Sequence, residues 1–156
     1  MPKSITPFLW FDSQAEEAAQ HYCSIFPDSR IVGVLRTPGS ETVLTVDFEL
    51  AGQRFTAING GPHFTFDEAV SFVVECADQE EVDRYWERLT DGGEEGSCGW
   101  CKDRYGLSWQ VVPAGMVDLF RDEDRERARR AIEAMYGMRK LDIAALRAAA
   151  EGVAAA

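Results

Sequence analysis

The chain has 156 residues, 46% hydrophobic and 28% charged, which bounds it to about one domain of ordinary globular composition and excludes a disordered polymer. A formal net charge of −11 repels phosphate backbones and anionic headgroups, which argues against nucleic acid and membrane partners. No apolar run approaches the ~20 residues of a membrane span, and Met1 to Ser4 carry no signal-peptide pattern, so a cytoplasmic address with four reduced cysteines is expected.

Ile5 to Phe11 is apolar and aromatic and reads as a strand. Asp12-Ser13 offer a helix N-cap, Glu16-Glu17 suit the positive end of the helix dipole, and Ala15, Ala18, Ala19, Tyr22, Ile25 and Phe26 recur at helical spacing until Pro27-Asp28. Strands follow over Arg30 to Arg36 and Val43 to Leu50; the second sets Leu44, Val46, Phe48 and Leu50 on one face and Thr45, Asp47 and Glu49 on the other. Ala51-Gly52 turns into a fourth strand, Gln53 to Asn59, and Gly60-Gly61-Pro62 opens a loop to Glu68.

The same order then starts again. Ala69 to Cys76 reads as a strand, Asp78 caps a helix over Gln79 to Leu89, and Gly96 to Lys102 and Leu107 to Val112 read as strands. Only three strands are clear in this half, and the glycine-rich Gly92 to Gly99 is where a fourth can hide. Beyond Pro113 the pattern is helical, with an apolar stripe Ala128, Ala131, Ile132, Met135, Tyr136 and a last helix capped by Asp142. Between Arg121 and Arg130 basic residues alternate with acids, as on a solvated helix face rather than a binding patch.

The expected fold is therefore α+β, two βαβββ modules followed by C-terminal helices: a first module over 1–62, a second over 63–113 and a helical extension over 114–156, in one compact domain. A helix covers one face of each curved sheet, and two such sheets side by side leave their concave faces to enclose a pocket. Cys98 and Cys101 form a C-x-x-C, but it sits in an extended glycine-rich stretch, not at a helix start, and no second pair completes a zinc site; it reads as structural.

Several short pieces together resemble a known family: Ile5-Thr6-Pro7 with Trp10-Phe11, Asn59-Gly60-Gly61-Pro62 with Phe64 and Phe66, Ser71-Phe72-Val73-Val74, Cys98-Gly99-Trp100, and Ser108-Trp109-Gln110-Val111-Val112-Pro113. They are similar to the PhnB-like, 3-demethylubiquinone methyltransferase-like branch of the vicinal oxygen chelate superfamily, which includes glyoxalase I, bleomycin-resistance proteins and extradiol dioxygenases. The resemblance implies paired βαβββ modules, a ligand cavity in the sheet concavity and a homodimer, with modules packed within one chain or swapped between two. Catalytic members hold a divalent metal with His and Glu side chains. The corresponding places here fall at Ser71 and Gln110 in the second module, and near Pro7 or Phe8 and near Asn59 in the first. None offers an imidazole or a carboxylate, so no metal and no other cofactor is expected.

What remains is polar and aromatic. Trp10, Asn59, Ser71, Trp100, Trp109 and Gln110 are the candidate ligand-binding residues, an apolar cavity with a few fixed donors and acceptors, although each Trp can equally be core and Asn59 a turn residue. His63, in the loop, and Glu75, on the face shared by Ser71 and Val73, are the candidate acid–base residues; the plainer readings are a surface histidine and a glutamate paired with Arg54 or another base. The leading expectation is a protein that binds an unidentified small molecule. The alternative is an enzyme of the same superfamily, of lyase, dioxygenase or isomerase type with an atypical site. Methyl transfer is not expected, because no G-x-G follows any strand.

Overall fold

Leu44, Val46, Phe48 and Leu50 turn to one side of their strand as the alternation predicts, and the first sheet is organised around that side. The computed structural model describes residues 5–153; expectations for residues 1–4 and 154–156 lie outside it. Two units separate, Met1–Phe66 and Asp67–Ala156, with the C-terminal helices in the second.

In the first unit β1 (Phe8–Phe11) leads to helix α1 (Ala15–Ile25), then β2 (Arg30–Arg36), β3 (Val43–Leu50) and β4 (Gln53–Asn59). The sheet order is β1-β4-β3-β2, with β1 parallel to β4 and the other pairs antiparallel. The first strand thus pairs with the last strand of its own module, and α1 lies on one face of the result. Ala15, Ala18, Ala19 and Tyr22 are fully buried; three alanines let the helix approach closely, and Tyr22 stacks on Phe48, which stacks on Phe55 with centroids 5.3 Å apart. A fully buried Phe contributes about 1.5–3 kcal/mol by area alone.

The second unit repeats this topology. β5 (Ser71–Cys76), α2 (Gln79–Thr90), β6 (Glu94–Glu95), β7 (Trp100–Lys102) and β8 (Ser108–Pro113) form a sheet in the order β5-β8-β7-β6, again with the first strand parallel to the last. The strand missing from the sequence pattern is β6, two residues long; the stretch read as a strand from Gly96 is a turn up to Gly99, in which Cys98 takes a positive φ of 59°. All four cysteines are free thiols. Asp78 caps α2 by accepting from the Glu81 amide, while the Glu81 carboxylate accepts from the Ala77 amide.

Three helices complete this unit: α3 (Met116–Phe120), α4 (Arg125–Tyr136) and α5 (Ile143–Glu151). Asp124 and Asp142 cap α4 and α5. The basic stretch is a solvated face as expected, with Arg129 paired to both Glu126 and Glu133. The fully buried Leu141 and Leu146 pack on Val112 at the end of β8. The chain just before α5 is tied down by two amide donations, from Cys98 to the Met138 carbonyl and from Gly99 to the Arg139 carbonyl. Gly99 needs its missing side chain: at φ +83° a Cβ would stand 2.8 Å from the Val111 carbonyl oxygen and 3.0 Å from Leu141.

Candidate functional site

Each sheet carries a helix on one face, so the chemistry-bearing side chains are those that the two-residue period sends to the other face. In the second unit, Cys76, Cys101, Trp109 and Val111 are buried on the α2 side. The alternate positions, Ser71, Val73 and Glu75 on β5, Gln110 on β8, and Trp100 and Lys102 on β7, share the open face. There the Gln110 side-chain N–H donates to Ser71 Oγ at 2.9 Å, and Gln110 sits directly opposite Trp100 across the β7–β8 pair. That bond leaves the Ser71 hydroxyl proton and the Gln110 amide oxygen as an adjacent donor and acceptor beside an indole.

A charged pair stands in the row of Ser71 and Ser108, two residues along β7 from Trp100. Lys102 Nζ bonds Glu68 Oε1, which raises the lysine's pKa and lowers that of the glutamate, each mainly through this hydrogen bond. Both groups are solvent-facing, so the pair fixes position more than it adds stability. The buried Ser108 hydroxyl lies 3.4 Å from the Asp67 carbonyl oxygen.

The open face of the first sheet is built in rows across the strands. One row runs Leu35–Thr45–Ile58–Trp10 and the next Gly33–Asp47–Thr56–Phe8. Thr56 Oγ1 donates to Asp47 Oδ1 at 2.6 Å, and Glu49 links Arg30 and Arg54 at 2.7 and 3.3 Å. Arg54 thus has Glu49 as an ion partner within its own unit. A hollow of about 160 Å3 opens beside Thr6, Val32, Asp47, Arg54 and Thr56. Trp10 donates its indole N–H to the Gly61 carbonyl at 2.9 Å and meets Phe64 edge-on at 5.0 Å.

The residues singled out by sequence thus divide. Ser71, Trp100 and Gln110 come together on the open face of the second sheet, and Trp10 stands on the open face of the first. Asn59 and Trp109 take other duties. Asn59 Oδ1 accepts the Ala15 amide at the start of α1, and its Nδ2 donates to the Val43 carbonyl. Asp12 and Ser13 do not cap α1; the N-cap position is Gln14, whose side chain makes no capping bond to the helix, and Asn59 supplies the acceptor from a distant strand. Trp109 is buried on the helix side, donating Nε1–H to Asp103 Oδ2 at 2.8 Å. His63 is exposed in its loop with its backbone N–H on the Gly61 carbonyl, and Glu75 is exposed on the open face. Lys102 was not singled out and Phe8 was named only as a place matching a metal ligand, yet strand parity with Trp100 and Trp10 puts them on the same faces.

At the positions to which the sequence resemblance assigns metal ligands, the donors present are the bonded Ser71–Gln110 pair in the second unit and the committed Asn59 amide in the first. These neutral groups do not fit a hard or borderline divalent ion, which needs anionic or imidazole donors to offset its desolvation. Among the described residues no three His, Cys, Asp or Glu side chains gather where they could hold a metal.

Comparison with known proteins follows the same lines. A family model described as 3-demethylubiquinone-9 3-methyltransferase matches residues 3–112. The structure of a PhnB protein from Bacillus cereus is 35% identical, over 72% of this chain and 100% of that one, with a TM-score of 0.67. A Pseudomonas aeruginosa protein (17% identity, 72% and 98% coverage, TM-score 0.61) and the fosfomycin resistance protein FosX from Mesorhizobium loti (14%, 71% and 91%, 0.54) share the fold. No curated protein matches.

Proposed function

We propose that this chain, which belongs to the PhnB-like, 3-demethylubiquinone-9 3-methyltransferase-like family of the vicinal oxygen chelate superfamily, binds a planar, uncharged small molecule without a bound divalent metal. The observation that carries the reading is the hydrogen bond between Ser71 and Gln110 with Trp100 opposite. An O–H donor and a C=O acceptor side by side match the C=O and N–H of a lactam or amide, and the indole offers a face on which a flat ring can lie. The three side chains of that constellation are neutral, and Lys102 in the row of Ser71 is already paired with Glu68, so a neutral ligand is preferred over an anion or a cation.

Methyl transfer finds no support in the fold. An S-adenosylmethionine site of the usual kind sits at a glycine-rich strand-to-helix turn of a doubly wound parallel sheet. Here each sheet has one parallel pair and a helix on a single face. An enzymatic reading would rest on Glu75, which shares the open face with Ser71; loss of any discovered turnover in Glu75→Gln but not in His63→Ala would favour it.

The edge strand β2, which exposes Val32, Val34 and Leu35, supports self-association into a homodimer, and the four free thiols suit a reducing compartment such as the cytoplasm. Among the described residues no helix is long and apolar enough to cross a membrane.

The test is a thermal-shift and fluorescence screen of planar lactams and heteroaromatic amides. A saturable ligand whose affinity falls about tenfold in Trp100→Ala and in Gln110→Leu is the expected result. Equal binding in both variants, or stoichiometric divalent metal in protein prepared without chelators, would overturn the proposal.

A further inference from the structure

The helices beyond the family match carry a hollow of their own. It measures about 140 Å3 and is lined by Pro113, Met116, Leu119, Ile143, Leu146 and Arg147. Each of these follows residue 112, where the match ends. Leu146 closes the floor at 2% exposure, while Met116, Leu119 and Ile143 are half-buried, so the apolar wall reaches the surface.

Arg147 stands at that rim. Among the described residues it is in no ion pair, although the chain carries an excess of acids; Glu151, one turn further along α5, is paired with Arg127, and the Asp142 carboxylate is occupied as the α5 cap. The other residues lining the hollow are uncharged. A closed cavity of about 150 Å3 lined by Leu and Ile holds benzene; this hollow has similar room but is open to solvent on one side, so a ring seated in it keeps one edge at the mouth. A guanidinium at its mouth selects a carboxylate, which it can engage through two parallel N–H bonds.

We infer that this hollow is a binding site for a small monocarboxylate with an apolar body of about one ring, separate from the open sheet faces and independent of the function proposed for them. The apolar body displaces water from Met116, Leu119 and Ile143, and the carboxylate meets Arg147 at the solvent boundary. The lining comes from neighbouring parts of one unit, the end of β8, the turn after it, α3 and α5, so the site is complete within Asp67–Ala156.

The test uses the full-length chain with benzoate as anionic probe and benzyl alcohol as its neutral counterpart, followed by methyl NMR. Benzoate is expected to shift the methyl signals of Met116, Leu119, Ile143 and Leu146 saturably. Arg147→Gln, a surface change, should weaken benzoate binding about threefold to fivefold and leave benzyl alcohol unchanged. Leu119→Phe, which fills the hollow, should weaken both. Benzoate shifts that fail to saturate, that spare these methyls, or that are as strong in Arg147→Gln as in the parent would overturn the inference.

Discussion

The Ala15 amide donates to Asn59 Oδ1 over 2.8 Å, so the last residue of β4 satisfies the first orphan N–H of α1. The helix start and the sheet are therefore a single structural device, and its removal should cost like the loss of a cap. Asn59→Ala is expected to lower unfolding stability by about 1–2 kcal/mol, with Asn59→Asp recovering part because the acceptor remains. Urea titration checks this; an Asn59→Ala midpoint indistinguishable from the parent would refute it.

Asp103 is 2% exposed and accepts from the Tyr105 and Leu107 amides and from the Trp109 indole. Deleting the carboxylate strands two buried donors, the Leu107 amide and the Trp109 indole, and a part-buried one at Tyr105. Asp103→Ala should therefore destabilise by about 3 kcal/mol or more, whereas Trp109→Phe, which removes one donor and keeps most of the ring, should cost nearer 1 kcal/mol. Denaturant melts of the two variants supply the comparison, and a reversed order would contradict the assignment.

A Cβ on Gly60 would lie 2.2 Å from the Trp10 ring. Gly60→Ala must then push the indole off its seat and break its bond to the Gly61 carbonyl. We expect a loss of about 1–3 kcal/mol and a change in tryptophan emission that is absent when Trp10 is first replaced by Phe. An alanine variant with unaltered emission would count against the close packing.

Burial pushes the thiols of Cys76 and Cys101 up to about 12, assisted by Glu81 near the first and Asp103 near the second. An unfolded cysteine ionises near pH 8.5. Between that value and about 12 the folded chain holds more protons than the unfolded one, so stability should fall as pH rises through this window, by at most ~1.4 kcal/mol per pH unit for each thiol. Unfolding measured from pH 8 to 10.5 should show that slope, flattened in a Cys76→Ala/Cys101→Ala double variant. Thiol reagents at pH 8 should reach these two cysteines only after denaturation.

Much of the architecture was legible because it rests on periodicity. Val43–Leu50 alternates cleanly, the alanine stripe of α1 has helical spacing, and the strand–helix–strands order recurs. β6 escaped because two glutamates carry no apolar signal and their glycine neighbours conceal a pairing that only Cys101 and Lys102 reveal. The duty of Asn59 had no local trace: its partner stands at Ala15, behind Asp12 and Ser13, which look like adequate caps. Trp109 was within reach of parity, since neighbours on a strand point opposite ways and it cannot share a face with Gln110. The apolar hollow of the extension depends on how α3 and α5 meet, which no single helical stripe announces.

The parallel pairing of β1 with β4, and of β5 with β8, has a consequence during synthesis. The strand that leaves the ribosome first in each module waits for the one that leaves last, so neither sheet can close while its module is still being made. Until Asn59 has cleared the exit tunnel, Leu9 and Phe11, buried in the finished sheet, lack their partner strand, and a nascent chain halted at the β3–β4 turn exposes both to chaperones.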